Sequence, residues 1–521
     1  MPLPARARVC VIGAGISGLV AAKVLREDGF DVVVFEKEAS LGGVWAASRT
    51  YPGLHANNPR DTYAFSDHPY PATADDFPSA PQVRAYLESY ADRFGLRPNL
   101  RLATEVVQVA RSAPDGDRFR VMVRGVGEPG RSTTEEVDFV VVCNGVFSQP
   151  QVPDIDGMAE FSGSALHSSQ ATDPALVEGR RVLVVGAGKS SIDCAAWAAR
   201  TSRACTLLFR QPYWMVPRYL FGVISLQYLL FTRLTELFLR YHRPSRFEAL
   251  LHDRAAPLAR GWWRGVSALL RRTLRMPREM TPQAPLPLHL ENIAVVSDFY
   301  DLVRAGRVQA RAGTIARFTG GDAVQLDSGE VLAADVVIFA TGWRQQVAFL
   351  ADELRRQVER AGAFHLYRFV LPPDVPQLGF IGYNSSTACQ LTSEIAAHWL
   401  AQVFRGELAL PTRAEMHAEI ARVHRWAAQA MPARGSGYFI GPYLIHHLDE
   451  LLRDMRLPTR RSSNFLSEHL LPMLPARYRS VGDERRRARG EAATIPCAPL
   501  YVSGVHWLAA VALLTLAWAL W

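Results

Sequence analysis

The chain is predicted to be an α/β protein built on two parallel-sheet units, and two pairs of observations predict it. First, two glycine-rich turns, Gly13-Ala14-Gly15-Ile16-Ser17-Gly18 and Gly186-Ala187-Gly188-Lys189-Ser190-Ser191, each follow a run that reads as a buried strand. Second, each unit carries a telling residue where its second strand should end. Asp31-Val32-Val33-Val34-Phe35 ends in Glu36, 23 positions after Gly13, a carboxylate placed to accept hydrogen bonds from a ribose diol. Ala204-Cys205-Thr206-Leu207-Leu208-Phe209 ends in Arg210, 24 positions after Gly186, a cation suited to a phosphate. The two units therefore read as Rossmann-like dinucleotide-binding domains. The first suits a cofactor without a 2′-phosphate and the second suits NADPH, with Lys189 inside the turn pointing the same way.

The glycines answer mechanical needs. The first of each turn permits the tight bend, the second lets backbone approach the pyrophosphate, and the third lets helix pack on strand. Backbone N–H groups at the helix start then face the anion. Ser191 stands where the third glycine of the second turn would be, and a side chain that small still permits close packing.

Taken in order, the first βαβ unit runs to about residue 40. Arg6-Ala7-Arg8 leads straight into Val9-Cys10-Val11-Ile12, with no signal-peptide pattern ahead of it. A loop-rich stretch to about residue 80, a helix and β-rich segments follow, up to Val142-Cys143-Asn144-Gly145. A second nucleotide unit opens near Arg181 and interrupts the first. It ends near Phe339-Ala340-Thr341-Gly342, expected as a strand leading back. Both glycine-terminated strands would bring backbone close to a cofactor.

Inside the second unit, residues 211–280 read as a hydrophobic helical insertion. Residues 219–232 are uncharged and too short to span a bilayer. Trp262, Trp263, Leu269 and Leu270 alternate with Arg260, Arg264, Arg271 and Arg272, as in a helix lying on lipid or in an ordinary buried helix. Pro277, Pro282, Pro285 and Pro287 close the insertion as an extended linker. At the far end, residues 501–521 are apolar apart from Ser503, His506 and Thr515, and as a helix would reach ~31 Å. With Trp507, Trp518 and Trp521 near its ends and Arg485, Arg486, Arg487 and Arg489 before it, this segment reads as a single C-terminal transmembrane helix, with the catalytic domains on the cytosolic side.

Composition excludes little: 49% hydrophobic and 21% charged residues is globular, and a net charge of +8 suits anionic cofactors or an acidic membrane surface equally. The six cysteines include no C-x-x-C pair, so no redox dithiol is expected. No metal-ligand cluster stands out, since His446-His447 beside Asp449 and Glu450 lacks the spacing of a site. No nucleic-acid partner is expected.

At this point the chain resembles the flavin-containing monooxygenases, the class B flavoprotein monooxygenases that include dimethylaniline-type enzymes. Besides the turns, the likeness rests on Glu36 through Leu41-Gly42-Gly43-Val44-Trp45, on Tyr51-Pro52-Gly53-Leu54-His55-Ala56-Asn57-Asn58-Pro59-Arg60, and on Phe161-x-Gly163-x-x-x-His167. It rests further on Phe339-Ala340-Thr341-Gly342-Trp343 and on Glu394 to Trp399 followed by Val403-Phe404-Arg405-Gly406. The family fingerprint places an aromatic four residues after the histidine, and here stands Ala171.

The resemblance implies FAD on the first domain (1–165 and 336–450), NADPH on the second (166–335), and a C-terminal region 451–521 carrying the membrane helix 501–521. It implies cofactor contacts from Gly13, Gly15, Ser17, Gly18, Glu36, Lys37, Gly43, Val44, Trp45, His55 and Asn57, from Asn144, Gly145 and His167, from Gly186, Gly188, Lys189, Ser190, Ser191 and Arg210, and from Ala340, Thr341 and Gly342. Asn57 matches the active-site amide, and His167 looks like an element of conformation and NADP⁺ retention.

The activity implied is a cycle in which NADPH reduces FAD, O2 adds to give a C4a-hydroperoxide, and that species oxygenates a soft N or S atom of a small, lipophilic substrate. Membrane lipid is an implied partner through the C-terminal helix and through 211–280, and a homodimer is compatible with the chain. The alternative is a Baeyer–Villiger monooxygenase acting on ketones, which shares both cofactors and the F-x-G-x-x-x-H element; Ala171 and Asn57 argue against it. A disulfide reductase lacks its C-x-x-C, and a non-catalytic adaptor would lack flavin colour.

Overall fold

The computed structural model of the chain describes residues 7–113, 116–128, 130–284, 286–287, 294–296, 298–384, 386–430 and 441–499. The first sheet has the spatial order Leu378–Phe380, Phe139–Val142, Arg8–Ile12, Asp31–Phe35, Leu100–Arg101, all parallel. Side chains of a strand alternate between faces, and the central strand uses both. Val9 and Val11 pack under the helix Ile16–Glu27 and its neighbour Cys389–Phe404. Cys10 and Ile12 pack under the antiparallel sheet Thr104–Arg111, Phe119–Gly125 and Ser132–Val137. An apolar run covered on both faces is what a parallel sheet requires, so the reading of Val9 to Ile12 as a buried strand holds.

The second sheet repeats the plan, in the order Gln309–Ala312, Ala204–Phe209, Arg181–Val185, Val336–Phe339, Ser164–His167, again parallel. Val182 and Val184 face the helix Lys189–Thr201, whereas Leu183 faces a three-stranded meander, Ile315–Phe318, Ala323–Leu326 and Val331–Ala333. Ser164–His167 and Val336–Phe339 both belong to this sheet. The strand expected at 336 to lead back to the first domain thus completes the second one, and each crossing between domains falls just past a sheet strand. The two crossings run side by side: Trp343–Arg344 pairs antiparallel with Gln149–Pro150, and Asn144 Nδ2 donates to the Gln346 carbonyl at 2.7 Å.

The insertion is folded against the rest of the chain. Residues 219–232 form a small hairpin, Tyr219–Leu220 with Ile224–Ser225, and a short helix Gln227–Leu230. The helix Ala256–Leu274 turns Trp263, Val266 and Leu270 onto Trp214, Leu239, Tyr241 and Leu286, leaving Arg260, Arg264, Arg271 and Arg272 exposed. Trp263 Nε1 donates to the Phe238 carbonyl at 2.9 Å, and the Trp262 ring stacks on Phe238 at 4.5 Å. The apolar face of this helix is therefore occupied by protein, while Phe221, Val223, Ile224 and Tyr228 of the hairpin and short helix stay exposed, and nothing in the packing supports the expected bilayer contact through 211–280.

A second correction concerns the far end of the chain. Among the described residues no helix is long and apolar enough to cross a membrane. The described residues form an α/β fold with no such helix, so the expected C-terminal transmembrane helix and the membrane-anchored location built on it are not supported. Apolar composition over residues 501–521 sets how far a helix could reach, not that one forms, and this segment lies outside the described residues.

Residues 444–488 pack back on the first domain, with Leu444, Leu448, Leu452 and Val481 in its core. Buried ion pairs fasten this region to its neighbours. Arg485 meets Asp28 of the first domain, and Arg233 of the insertion meets Asp449 at 2.7 Å and Glu468 at 2.6 Å. Glu236 of the insertion caps the helix Leu444–Asp454, accepting from the N–H of Ile445 at 2.7 Å and of His446 at 3.0 Å. His446 is held between Glu236 and Glu248 at 2.7 and 2.6 Å.

Burial works against the His446 charge, but the hydrogen bonds and charges of Glu236 and Glu248 hold its pKa up at about 10. Burial likewise works against Glu248, and His446 and Ser245 bring it down to about 2. The histidine's contribution is whole below its ordinary 6.5 and is lost as pH rises through about 10, while that of Glu248 is whole above its ordinary 4.5 and is lost as pH falls through about 2. His446→Gln should cost about 3 kcal/mol, and thermal melts should show the gap from the parent widest between pH 4.5 and 6.5, narrowing toward pH 10. A gap independent of pH would show that the histidine is held neutral.

Candidate functional site

The first turn closes where backbone meets backbone. A Cβ on Gly13, whose φ is +107°, would stand 2.6 Å from the Cys143 carbonyl oxygen, and one on Gly18 would stand 1.8 Å from that of Gly13. Gly15 faces Gly43 across the turn, and a Cβ on Gly43 would stand 3.2 Å from the Gly15 Cα. The loop bearing Gly43, Val44 and the buried Trp45 is held there by the Gly42 N–H donating to the Ala14 carbonyl at 3.0 Å. These contacts leave a slot walled by backbone.

Glu36 lies beside the slot, buried. Its carboxylate accepts from the N–H of Ala14 at 2.7 Å and of Glu38 at 2.9 Å, which leaves lone pairs for further donors. Lys37 is exposed just beyond it. Ser17 Oγ lies 2.9 Å from Ser393 Oγ, tying the first helix to Cys389–Phe404. Asn144 sits where the chain leaves the sheet, but its side chain is spoken for: Nδ2 donates to Gln346 and Oδ1 accepts from the Tyr383 hydroxyl at 2.6 Å. Only its backbone and that of Gly145, at φ +77°, are free to face a ligand.

Asn57 lies on a loop pinned from both sides, by Ala80 N–H to the Leu54 carbonyl at 2.9 Å, Ala56 N–H to Pro78 at 2.8 Å and Arg60 N–H to Asp76 at 2.7 Å. Its Oδ1 is buried with no hydrogen-bond partner among the described residues. An unmet buried carbonyl costs about 1–3 kcal/mol, and such exceptions mark places where a ligand completes the set. His55, two positions before, places Nδ1 2.8 Å from the Gly53 carbonyl and leads the loop into the same region. The backbone slot, the lone pairs of Glu36 and the orphaned amide oxygen together fit FAD.

The second turn follows the same rule with different residues. A Cβ on Gly186, at φ +137°, would stand 2.4 Å from the Ala340 carbonyl oxygen, while the space at Gly188 is open. Ser191 is fully buried and turns its hydroxyl back to the Gly188 carbonyl at 2.7 Å, so the side chain consumes its own polarity inside the turn. Ser190 is half-buried in the first turn of the helix. Arg210 is exposed one residue past the strand Ala204–Phe209, with no ion pair among the described residues. Lys189 differs from its reading: it is neutralised by Asp193 one helical turn on, and Asp193 also accepts from the Tyr51 hydroxyl at 3.0 Å. Tyr51 comes from the first domain, so the loop after the first turn is tied to the helix of the second.

His167 is fully buried at the crossing. Nδ1 accepts from the Ser169 N–H at 3.2 Å, which leaves Nε2 as the protonated nitrogen donating to the Gly342 carbonyl at 3.0 Å. Burial lowers its pKa, the Gly342 carbonyl raises it and Arg49 lowers it, with a net fall, so the ring is neutral. The Trp343 ring stands edge-on to it at 4.8 Å, and Arg49 of the first domain lies over Trp343 at 5.0 Å. Thr341 Oγ1 donates to the Gln151 carbonyl at 2.5 Å, Ala340 lies under Gly186, and Gly342 has φ +91°. Ala171, where the fingerprint has an aromatic, is buried in the core of the second domain. Arg49 and Asp193 are members that sequence reasoning missed, and Tyr51 and Trp343 entered it only as motif residues; the i, i+4 spacing of Lys189 and Asp193 was the local signal for that pair.

The profile of the family described as Flavin-binding monooxygenase-like matches residues 6–457. Among curated proteins the chain is similar to the probable flavin-containing monooxygenase 1 of Arabidopsis thaliana, at 29% identity over 92% of this chain and 97% of that one. Among solved structures it is similar to the S-allyl-L-cysteine S-oxygenase of Allium sativum, with 21% identity, 94% of each chain covered and a TM-score of 0.57. It is also similar to an oxidized steroid monooxygenase bound to NADP, with 21% identity, 86% and 97% covered and a TM-score of 0.64. At these identities the structures speak to the fold.

Two substitutions probe the turns. Gly18→Ala sets a methyl against the Gly13 carbonyl, an overpacking worth about 1–3 kcal/mol, and purified protein should retain on the order of tenfold less FAD. Arg210→Ala should lower the kcat/KM preference for NADPH over NADH by about 1–3 kcal/mol, the worth of a charge-assisted hydrogen bond; an unchanged ratio would place the 2′-phosphate elsewhere.

Proposed function

Because the chain belongs to the flavin-binding monooxygenase-like family, we propose that it is an FAD- and NADPH-dependent monooxygenase that oxygenates soft N or S atoms of small molecules. Bound flavin supplies the redox and oxygen chemistry, and the chain's residues hold, orient and shield it. The observation that carries the reading is the buried, unpartnered Oδ1 of Asn57. A neutral amide offers both a donor and an acceptor without a proton to lose, which suits a site that must steer an oxygen donor and not cleave it by acid or base.

The rest of the site supports that economy. Glu36 and the backbone slot anchor one dinucleotide through groups that are already set, so little reorganisation accompanies binding. Arg210 selects the 2′-phosphate of the other. His167 is neutral and both its nitrogens are engaged within the crossing, so it positions the linkers and takes no part in proton transfer. Tyr51 and Trp45 are buried beside the junction between the domains and help keep water from it.

Ketone oxygenation is the alternative outcome, and the shared fold does not decide between them. Purified protein given NADPH and air should convert a thioether or tertiary amine to its oxide, read by mass spectrometry with the oxygen traced to labelled O2. Asn57→Ala should keep flavin reduction by NADPH while oxide yield per NADPH falls by on the order of tenfold or more. Lactone or ester from a ketone panel, with no oxide from any nucleophile, would reverse the assignment.

A further inference from the structure

The loop carrying Asn57 and the insertion meet at a cleft of about 250 Å³, lined by His55, Asp75, Asp76, Phe77, Arg218 and Tyr219. Arg218 differs from the most deeply buried arginines among the described residues. The guanidiniums of Arg233, Arg368, Arg461 and Arg485 each meet a carboxylate within 3.0 Å. Arg218 has no carboxylate within 4 Å among the described residues, and its Nε is buried with no hydrogen-bond partner. Its cation lies over the Phe77 ring at 5.3 Å, a contact that helps hold it in place without supplying a counterion. Burial is the largest influence on its pKa and lowers it, and Asp193, Tyr219, Asp298 and Asp75 compensate only from a distance.

The carboxylates of the cleft do not fill the place of a counterion. Asp76 is exposed and its Oδ2 is taken by the Tyr219 hydroxyl at 2.6 Å, while Asp75 is exposed at the rim. Solvent screens both, whereas the guanidinium is half-withdrawn from water. A polyphosphate would have to span those rim charges. A single planar oxyanion makes a smaller demand, and the rings of His55, Phe77 and Tyr219 that line the cleft suit an apolar body. We infer that Arg218 is a substrate-recognition residue that binds the carboxylate of a monoanionic, aromatic or apolar soft nucleophile entering this cleft toward Asn57. The inference rests on the oxygenase reading for the fate of that substrate, but not for its binding.

The test compares para-(methylthio)benzoate with the isosteric para-(methylthio)benzamide on the flavin-loaded enzyme. The parent should favour the acid, and Arg218→Gln should lower the acid-to-amide ratio of kcat/KM by on the order of tenfold or more, through KM, with kcat within about twofold and the KM for NADPH unmoved. Arg218→Lys should restore part of the ratio, because charge returns without the fork. Equilibrium dialysis of the acid against the holoprotein, which needs no turnover, should show the same loss of affinity in Arg218→Gln. An equal loss on acid and amide, no preference in the parent, or a change confined to the KM for NADPH would overturn the inference. If no substrate is oxygenated the oxygenase reading fails, and dialysis still decides Arg218 by whether the acid binds the parent more tightly than the variant.

Discussion

The architecture depends on backbone meeting backbone at the carboxyl end of each sheet. In the first domain the partner of Gly13 is the Cys143 carbonyl, and in the second the partner of Gly186 is the Ala340 carbonyl. These two carbonyls belong to the residues at which the chain leaves one sheet and sets out for the other domain. The glycine-rich turns and the crossings are therefore one device used twice: a side chain at either glycine would push apart the turn and the linker that carries the chain across. Past those points the linkers pair with each other through Gln149–Pro150 and Trp343–Arg344, so the relation between the two sites is set within a few residues of the turns themselves.

Much of this was legible. The strands and both turns could be read because period, glycine spacing and strand length are local properties, and the paired strands lie in register, with Glu36 and Arg210 each one residue past its strand. The partner of Lys189 was the exception within reach, since Asp193 lies one helical turn away. The stack of Arg49, Trp343 and His167 was beyond reach, because its members lie far apart in the chain and meet only when the two crossings run side by side. The placement of Ser164–His167 and Val336–Phe339 in the second sheet was similarly hidden: an apolar strand of four residues carries no mark of which sheet will take it.

The insertion shows the opposite limit. Its alternation of tryptophan, leucine and arginine describes an amphipathic helix and is silent about what covers the apolar face. The answer came from Trp214, Leu239, Tyr241 and Leu286, which bury it, and from charges that residue spacing does not announce. Arg233, Glu236 and Glu248 of the insertion meet Asp449, Glu468 and His446 of the C-terminal region. Burying such pairs gives little net stability against an apolar alternative, whereas leaving one member alone is costly. Their effect is to specify one docking of the insertion, since any other leaves buried charges unmet.

That specificity reaches the candidate substrate cleft. The hairpin that supplies Arg218 and Tyr219 is held at its base by Trp214, whose Nε1 donates to the Ala284 carbonyl at 2.9 Å and whose ring lies under Arg271. The opposite wall, His55 to Phe77, is the loop pinned around Asn57. One wall is therefore set by the packing of the insertion and the other by the loop that carries Asn57, and a change in how the insertion docks would move Arg218 relative to Asn57 without touching either glycine-rich turn. The cleft thus shares the Asn57 loop with the candidate flavin site and takes its second wall from the insertion, and a doubly wound scaffold can vary the second without rebuilding the first.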